Sequence, residues 1–273
     1  MHKLGIIAAL PAETHCLAGQ YGLKNGTLKA AMSSPQQLAD HVWLMISGIG
    51  KAAAEQAALD LIEHGVNALL SWGCAGALSH QLQPGDLLLP RHIQAAGSDV
   101  FPTDPAWHAR LCGGLSDSDS ACTDALFSSD VIISEPAQKQ SLHQMSKAVA
   151  VDMESAAIAM AAQQAQIPFM AIRAIVDDAR TTIPVCINSA MDQYGNINPA
   201  RMLRLLLMHP SAWPQLMRLG RQFKAARSTL FRVATISEPD FFAFSSAAMR
   251  QTRPNHLPNS ASSGAGQQAE PSD

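Results

Sequence analysis

The sequence predicts an α/β sandwich built on a mostly parallel sheet. Two observations carry this: short, continuous apolar runs bounded by turn residues, and Ala-rich helical stretches lying between them. The first run, residues 4–10, is ended by Pro11 and suits a strand buried on both faces better than an alternating edge strand. Runs at 42–46, 68–72, 86–89 and 168–176 have the same character, and helices are expected over 51–64 and 153–166. In such folds ligands gather at the carboxyl ends of the strands. No internal repeat is visible.

The C-terminal region reads as two helices, 199–208 and 213–233, separated by Pro210 and Pro214. In the second, Leu216, Leu219, Phe223, Ala226, Leu230 and Val233 recur at helical spacing and form one apolar face with basic residues around it. A surface helix docked on the domain is the first reading, and peripheral membrane attachment the alternative. The expected organisation is a main domain over 1–192, a basic helical segment over 193–237, and a disordered tail over 238–273.

At 273 residues, 47% of them hydrophobic and 15% charged, the chain is long and apolar enough for a sizeable core. A net charge of −3 gives no global basic field, so nucleic acid is not an expected partner. The charge is uneven: 193–237 holds seven basic residues and no acid, leaving −10 on the remainder. An acidic globule with a basic appendage could meet an anionic surface. The five cysteines are odd in number and widely spaced, without a CxxC pair, which argues against a disulfide framework or structural zinc. A reducing cytoplasm is the simplest home. The apolar start is too short for a secretory core, and no run is long enough for a membrane span.

Several constellations could carry chemistry. Ser47-Gly48-Ile49-Gly50-Lys51-Ala52-Ala53 follows a strand and opens a helix, a superficial match to GxGxxA. The next strand ends Leu70-Ser71-Trp72-Gly73, without the acid a dinucleotide ribose would require, so a nicotinamide cofactor is not expected. Gly73-Cys74-Ala75-Gly76-Ala77 reads as a small-residue turn at a strand end, open to a ligand or simply tight. Asp152-Met153-Glu154-Ser155 begins a helix, where acids complement the positive helix terminus. Asp177 and Asp178 follow an apolar strand, and Glu13 follows the first one. Three carboxylates at like ends of a parallel sheet say more than any one of them.

Taken in order, Gly5-Ile6-Ile7-Ala8-Ala9-Leu10 with Glu13, Ser47-Gly48-Ile49-Gly50-Lys51, Gly73-Cys74-Ala75-Gly76, Val151-Asp152-Met153-Glu154 and Arg173-Ala174-Ile175-Val176-Asp177 resemble the purine nucleoside phosphorylase and methylthioadenosine nucleosidase superfamily. Beyond these, Pro184, Asp192-Gln193-Tyr194-Gly195 and the basic helix look like the hopanoid-associated nucleoside phosphorylases. The resemblance implies a three-layer α/β/α domain and cleavage of the N-glycosidic bond between a purine and a ribose. It implies Asp177 as general acid at purine N7 and Glu13 as holder of the attacking water. Glu154 would bind the ribose hydroxyls and Met153 would pack on the sugar. Gly73 and Cys74 would line the substrate site, with Ile132 and Val176 near the base. No metal and no cofactor are implied, apart from phosphate as co-substrate if the reaction is phosphorolytic. Homodimers are common in the resembled family, and one subunit can complete its neighbour's 5′ pocket.

Departures from the pattern bear on the nucleophile. Phosphorolytic relatives carry an arginine where this chain has Ser71-Trp72, and a serine where Cys74 stands. Losing a guanidinium removes a bidentate, charge-assisted contact to an anion, so water is favoured over phosphate. Val176 replaces a common serine and Ile132 a common aromatic. In the hopanoid branch the substrate would be adenosylhopane, cleaved to adenine and ribosylhopane or its phosphoribosyl form. Such a lipid would be drawn from a bilayer, for which the basic helix offers contact with anionic headgroups at the inner membrane face. The alternatives are a soluble methylthioadenosine or adenosylhomocysteine nucleosidase and a non-catalytic purine-nucleoside binder.

Overall fold

The computed structural model describes residues 3–22, 25–115, 121–183 and 213–236. The expected helix at 199–208 and the expected tail at 238–273 lie outside the described residues. The first strand, β1 (Leu4–Ala8), leads into α1 (Pro11–Gln20) and α2 (Asn25–Ala30). The hairpin β2 (Gln36–Ala39) and β3 (Val42–Ile46) follows, then α3 (Lys51–Glu63) and the long β4 (Ala68–Ala77). Short strands β5 (Leu87–Leu88), β6 (His92–Ala95) and β7 (Val100–Pro102) precede α4 (Pro105–Gly113), β8 (Ala121–Cys122) and β9 (Leu126–Ser128). The chain continues through α5 (Pro136–Ser146), β10 (Ala150–Asp152), α6 (Ser155–Gln164) and β11 (Phe169–Asp177), and α7 (Trp213–Thr235) is the C-terminal helix.

Among the described residues all strands join one sheet, ordered β2-β3-β1-β4-β10-β9-β6-β7, with β11 against β4 and β5, and β8 against β5. β1, β3, β4 and β11 run parallel and form its centre. The alternation of side chains across these strands divides the core in two. Leu44, Ile6, Leu70 and Met170 stand in register on one face and pack with Leu17 of α1 and Leu230 and Val233 of α7. Met45, Ile7 and Ala171 point to the other face, against Ala54, Ala57 and Leu61 of α3 and Ile158 of α6. The architecture is therefore helix, sheet, helix, as expected. The small alanines of α3 and α6 let both helices lie close to the sheet and to each other.

α7 is a docked helix. Ala226, Leu230, Val233 and Ala234 are at most 2% exposed within the first core layer, while Arg221, Lys224 and Arg227 face outward. Among the described residues no helix is long and apolar enough to cross a membrane.

Two sequence expectations are corrected by the structure. The segment Gly73-Cys74-Ala75-Gly76-Ala77 is the second half of β4, continuously paired with β11, and makes no turn. Its glycines serve close approach of side chains. Asp152 ends β10 and Glu154 stands at the N-cap position of α6, which starts at Ser155 rather than at Met153. β10 itself runs antiparallel to β4, which carries Glu154 back toward the middle of that strand.

Candidate active site

The sheet itself opens the site. β1 pairs with β4 only as far as Ser71, and β10 joins that same edge at Gly76. Between them, residues 72–75 of β4 have no strand partner on that edge, and a crevice forms whose lining includes Glu13, Ser71, Gly73, Cys74, Glu154 and Arg173. An unpaired, buried backbone amide must find an acceptor. The Cys74 N–H finds Glu13 Oε1 at 2.8 Å. The other carboxylate oxygen of Glu13 accepts the Leu10 N–H at 3.1 Å, which fixes the side chain against the first turn of its own helix. The indole of Trp72 donates to the Glu13 backbone carbonyl at 3.0 Å, tying α1 to β4. Glu13 fits only because residue 73 is glycine: a Cβ there would stand 2.8 Å from its Oε1 and 2.9 Å from Oε2.

Glu154 reaches the crevice from the other side. Its Oε1 accepts the Gly50 N–H at 2.7 Å, and its Oε2 the Met153 N–H at 3.2 Å. Gly50 precedes α3 with φ of +99°, in the region glycine favours, and this conformation aims its amide inward. The glycine pair 48 and 50 thus presents an amide to a carboxylate of this chain.

Asp177 lies at the end of β11, opposite Gly76, where a Cβ would come within 3.0 Å of its Oδ1. Gly76 is two residues beyond Cys74, about 7 Å further along the strand. The carboxylate of Asp177 is ion-paired with Lys139 of α5, a residue the sequence reading did not single out. Sequence gave little signal for it, because Lys139 stands among glutamines in a mainly polar helix.

Beneath the crevice, on the α6 side, is a buried polar cluster that was also missed. The Arg173 guanidinium donates twice to Asp152 Oδ2, at 2.8 and 3.0 Å, and also to the hydroxyls of Ser155 and Ser71 and the Ile172 carbonyl. Asp152 also accepts the Ser155 N–H, so it caps α6 while holding the arginine. A single cation in an apolar sheet is tolerable because its donors are matched by acceptors.

Electrostatics follow from burial. Glu13, Glu154 and Asp177 all lose water, and each carboxyl is pushed above its ordinary range by burial first. For Glu154 the nearby Asp152 adds to the effect and the group reaches about 7, with the Gly50 amide and Arg173 acting against the rise. Arg173 also draws Glu13 back down, and Lys139 does so for Asp177. Burial and the Glu13 charge push the Cys74 thiol up, so it stays protonated and neutral beside the carboxylate.

The remaining expected site residues fall outside this cluster. Met153 lines a neighbouring depression with Lys51, Phe101 and Met160. Ile132 lies beyond β9, 40% exposed, and Val176 is half-buried against the α7 side of the core.

The model of one protein family, the phosphorylase superfamily, matches residues 3–194. The chain belongs to the phosphorylase superfamily. Among curated members, a 5′-methylthioadenosine/S-adenosylhomocysteine nucleosidase of Shewanella baltica is 29% identical over 234 residues, covering 77% of this chain and 99% of that protein. One from Bacillus thuringiensis is 25% identical over 213 residues, covering 70% and 92%. Among solved structures, futalosine hydrolase of Helicobacter pylori superposes with a TM-score of 0.63 at 17% identity, covering 86% of this chain and 96% of that one. The Helicobacter pylori 5′-methylthioadenosine/S-adenosylhomocysteine nucleosidase in complex with butyl-thio-DADMe-Immucillin-A gives 0.62 at 18%, with the same coverage. These superpositions establish that the superfamily member described here shares their fold.

Proposed function

We propose that this phosphorylase-superfamily chain cleaves the N-glycosidic bond of an adenine nucleoside with water as nucleophile. The observation that carries the reading is the placement of three buried carboxylates, all pushed upward by burial, along β4: Glu13 and Glu154 at its unpaired stretch and Asp177 over Gly76 just beyond it. Asp177, kept protonated more readily by burial, donates to purine N7 and turns the base into a neutral leaving group. Glu154 accepts hydrogen bonds from the ribose hydroxyls, with Met153 against the sugar, and orients the ring as it flattens toward an oxocarbenium ion. The positive charge of that ion is favoured by the two glutamates in a water-poor site. Glu13, clamped by two backbone amides, takes a proton from water and aims its oxygen at the anomeric carbon. Water is favoured over phosphate because the crevice arginine, Arg173, is already engaged with Asp152, Ser71, Ser155 and a carbonyl.

For the 5′ substituent the reading is adenosylhopane, released as adenine and ribosylhopane. In support, a groove between α1 and α7, lined by Cys16, Phe223, Leu230, Phe231, Lys224 and Arg227, includes Glu13 in its wall. It is apolar with a cationic rim, suited to a hydrocarbon drawn from an anionic bilayer. A methylthioadenosine or adenosylhomocysteine nucleosidase is the second reading, favoured by the names of the relatives at 29% identity. Adenine release from adenosylhopane in detergent and from methylthioadenosine, each with and without phosphate, decides between them. Phosphate-independent turnover of adenosylhopane is the expected result. Preference for methylthioadenosine would overturn the lipid reading, and strict phosphate dependence the choice of water.

A further inference from the structure

Helix α5 presents one buried side chain to the body of the protein, and it is a lysine. Lys139 is 0% exposed, while the other side chains of the helix are half-buried or exposed. Lysine is among the residues least often buried, and an apolar residue would dock the helix without the cost of removing an ammonium from water. The ammonium has three donors and no acceptor. All three are used within one short stretch: the Asp177 carboxylate, the Asp178 carbonyl at 2.9 Å and the Thr181 carbonyl at 3.1 Å. Lys139 bonds to Asp177 through Oδ2, and the other oxygen lies over Gly76.

We propose that Lys139 is the positioning residue of Asp177, holding its carboxyl over Gly76 and pinning the loop 178–181 so that the acid meets the departing base in one orientation. This inference rests on the reading of Asp177 as that acid. A buried ion pair that served stability alone would be replaceable by apolar packing. A misplacement of about 1 Å in a reacting group can cost roughly 100-fold in rate, so a positioning role has a kinetic signature.

The charges around Asp177 are few. Lys139 faces it from α5, and Asp178 adjoins it with its own carboxylate paired to Arg218 of α7. The residue in register on β4 is the uncharged Gly76. Burial pushes the Asp177 carboxyl up and Lys139 draws it down. Without Lys139 the carboxyl therefore stays protonated to higher pH.

The test compares Lys139→Met, Lys139→Arg, Asp177→Asn and the double variant Asp177→Asn/Lys139→Met, each checked for a cooperative thermal melt and assayed for adenine release. In Lys139→Met, kcat is expected to fall about 10- to 100-fold with KM little changed, and the alkaline limb of the kcat profile to move to higher pH. Lys139→Arg, which keeps the charge but cannot meet three acceptors with one ammonium, is expected to lose kcat with the limb in place. The double variant, which buries no charge at this pair, is expected to fold and to be no slower than Asp177→Asn alone. A folded Lys139→Met or Lys139→Arg with wild-type kcat and an unmoved profile overturns the proposal, as do additive losses in the double variant. Full activity in Asp177→Asn would instead remove the underlying reading of the acid.

Discussion

Replacing Gly73 by alanine separates the role of Glu13 in the reaction from its role in the fold. A Cβ at this position would lie 2.8 to 2.9 Å from three atoms of the Glu13 carboxyl group, closer than van der Waals contact permits. What must give is the end of a flexible side chain, and β4 itself is under no strain because alanine accepts extended backbone. Displacing the carboxylate breaks its 2.8 Å bond to the Cys74 amide and leaves that amide buried without its acceptor. A hydrogen bond to a charged group is worth about 1.5 to 3 kcal/mol. If the whole of it is lost where water is to be held, kcat falls roughly 10- to 150-fold. Initial rates of adenine release at saturating nucleoside measure this, with circular dichroism and thermal melts to show that the sheet persists. A folded Gly73→Ala protein with wild-type kcat would refute the claim that Glu13, as clamped by Cys74 and Leu10, acts on the nucleophile.

Other outcomes follow from burial and charge. The folded-state carboxyl of Glu154, at about 7, lies above its ordinary value of 4.5, so the folded form binds the proton more tightly than the unfolded chain. Its contribution is therefore full below about pH 4.5 and is lost as pH rises toward 7, a change of about 3 kcal/mol. Urea denaturation across this window should show stability falling with pH in the wild type and a flatter dependence in Glu154→Gln; equal slopes would contradict the reading. In α7, Leu230 is 1% exposed, and Leu230→Ala is expected to cost about 2 to 5 kcal/mol in chemical denaturation, whereas a loss under about 0.5 kcal/mol would mean the helix is not integral to the core. Reversing the outward charges Arg221, Lys224 and Arg227 to Glu is expected to abolish sedimentation with anionic vesicles, and unchanged sedimentation would remove the membrane-contact proposal.

Much of this arrangement was legible because burial on both faces of a parallel sheet leaves unbroken apolar runs. β1, β3 and β11 announce themselves in this way, and the acids Glu13 and Asp177 stand out because they break such runs at their ends. The 3.6-residue period of α7 likewise named the face, Ala226, Leu230 and Val233, that the structure buries. What failed was the inference from glycine to turn. Gly73 and Gly76 sit in extended strand, where the missing Cβ makes room for Glu13 and Asp177, a demand set by residues about sixty and one hundred positions away and invisible to local pattern. The same non-locality hid Lys139, whose partners lie 38 to 42 residues downstream, and the Arg173–Asp152 pair, formed across α6. The direction of β10 was hidden too, since three residues carry no mark of which way they pair. β5 lies inside the expected run 86–89, whereas the short strands β6 to β9 are too brief to show any period.

The most direct measurement is the effect of Asp177→Asn on adenine release and on nucleoside binding in the same preparation. An amide preserves the shape of the side chain but has no acidic proton for N7. Adenine release followed by chromatography should fall about 10²- to 10⁴-fold, while the nucleoside dissociation constant from calorimetry changes little. Undiminished release from the folded variant would contradict the assignment of the Asp177 cluster as the site of N-glycosidic cleavage.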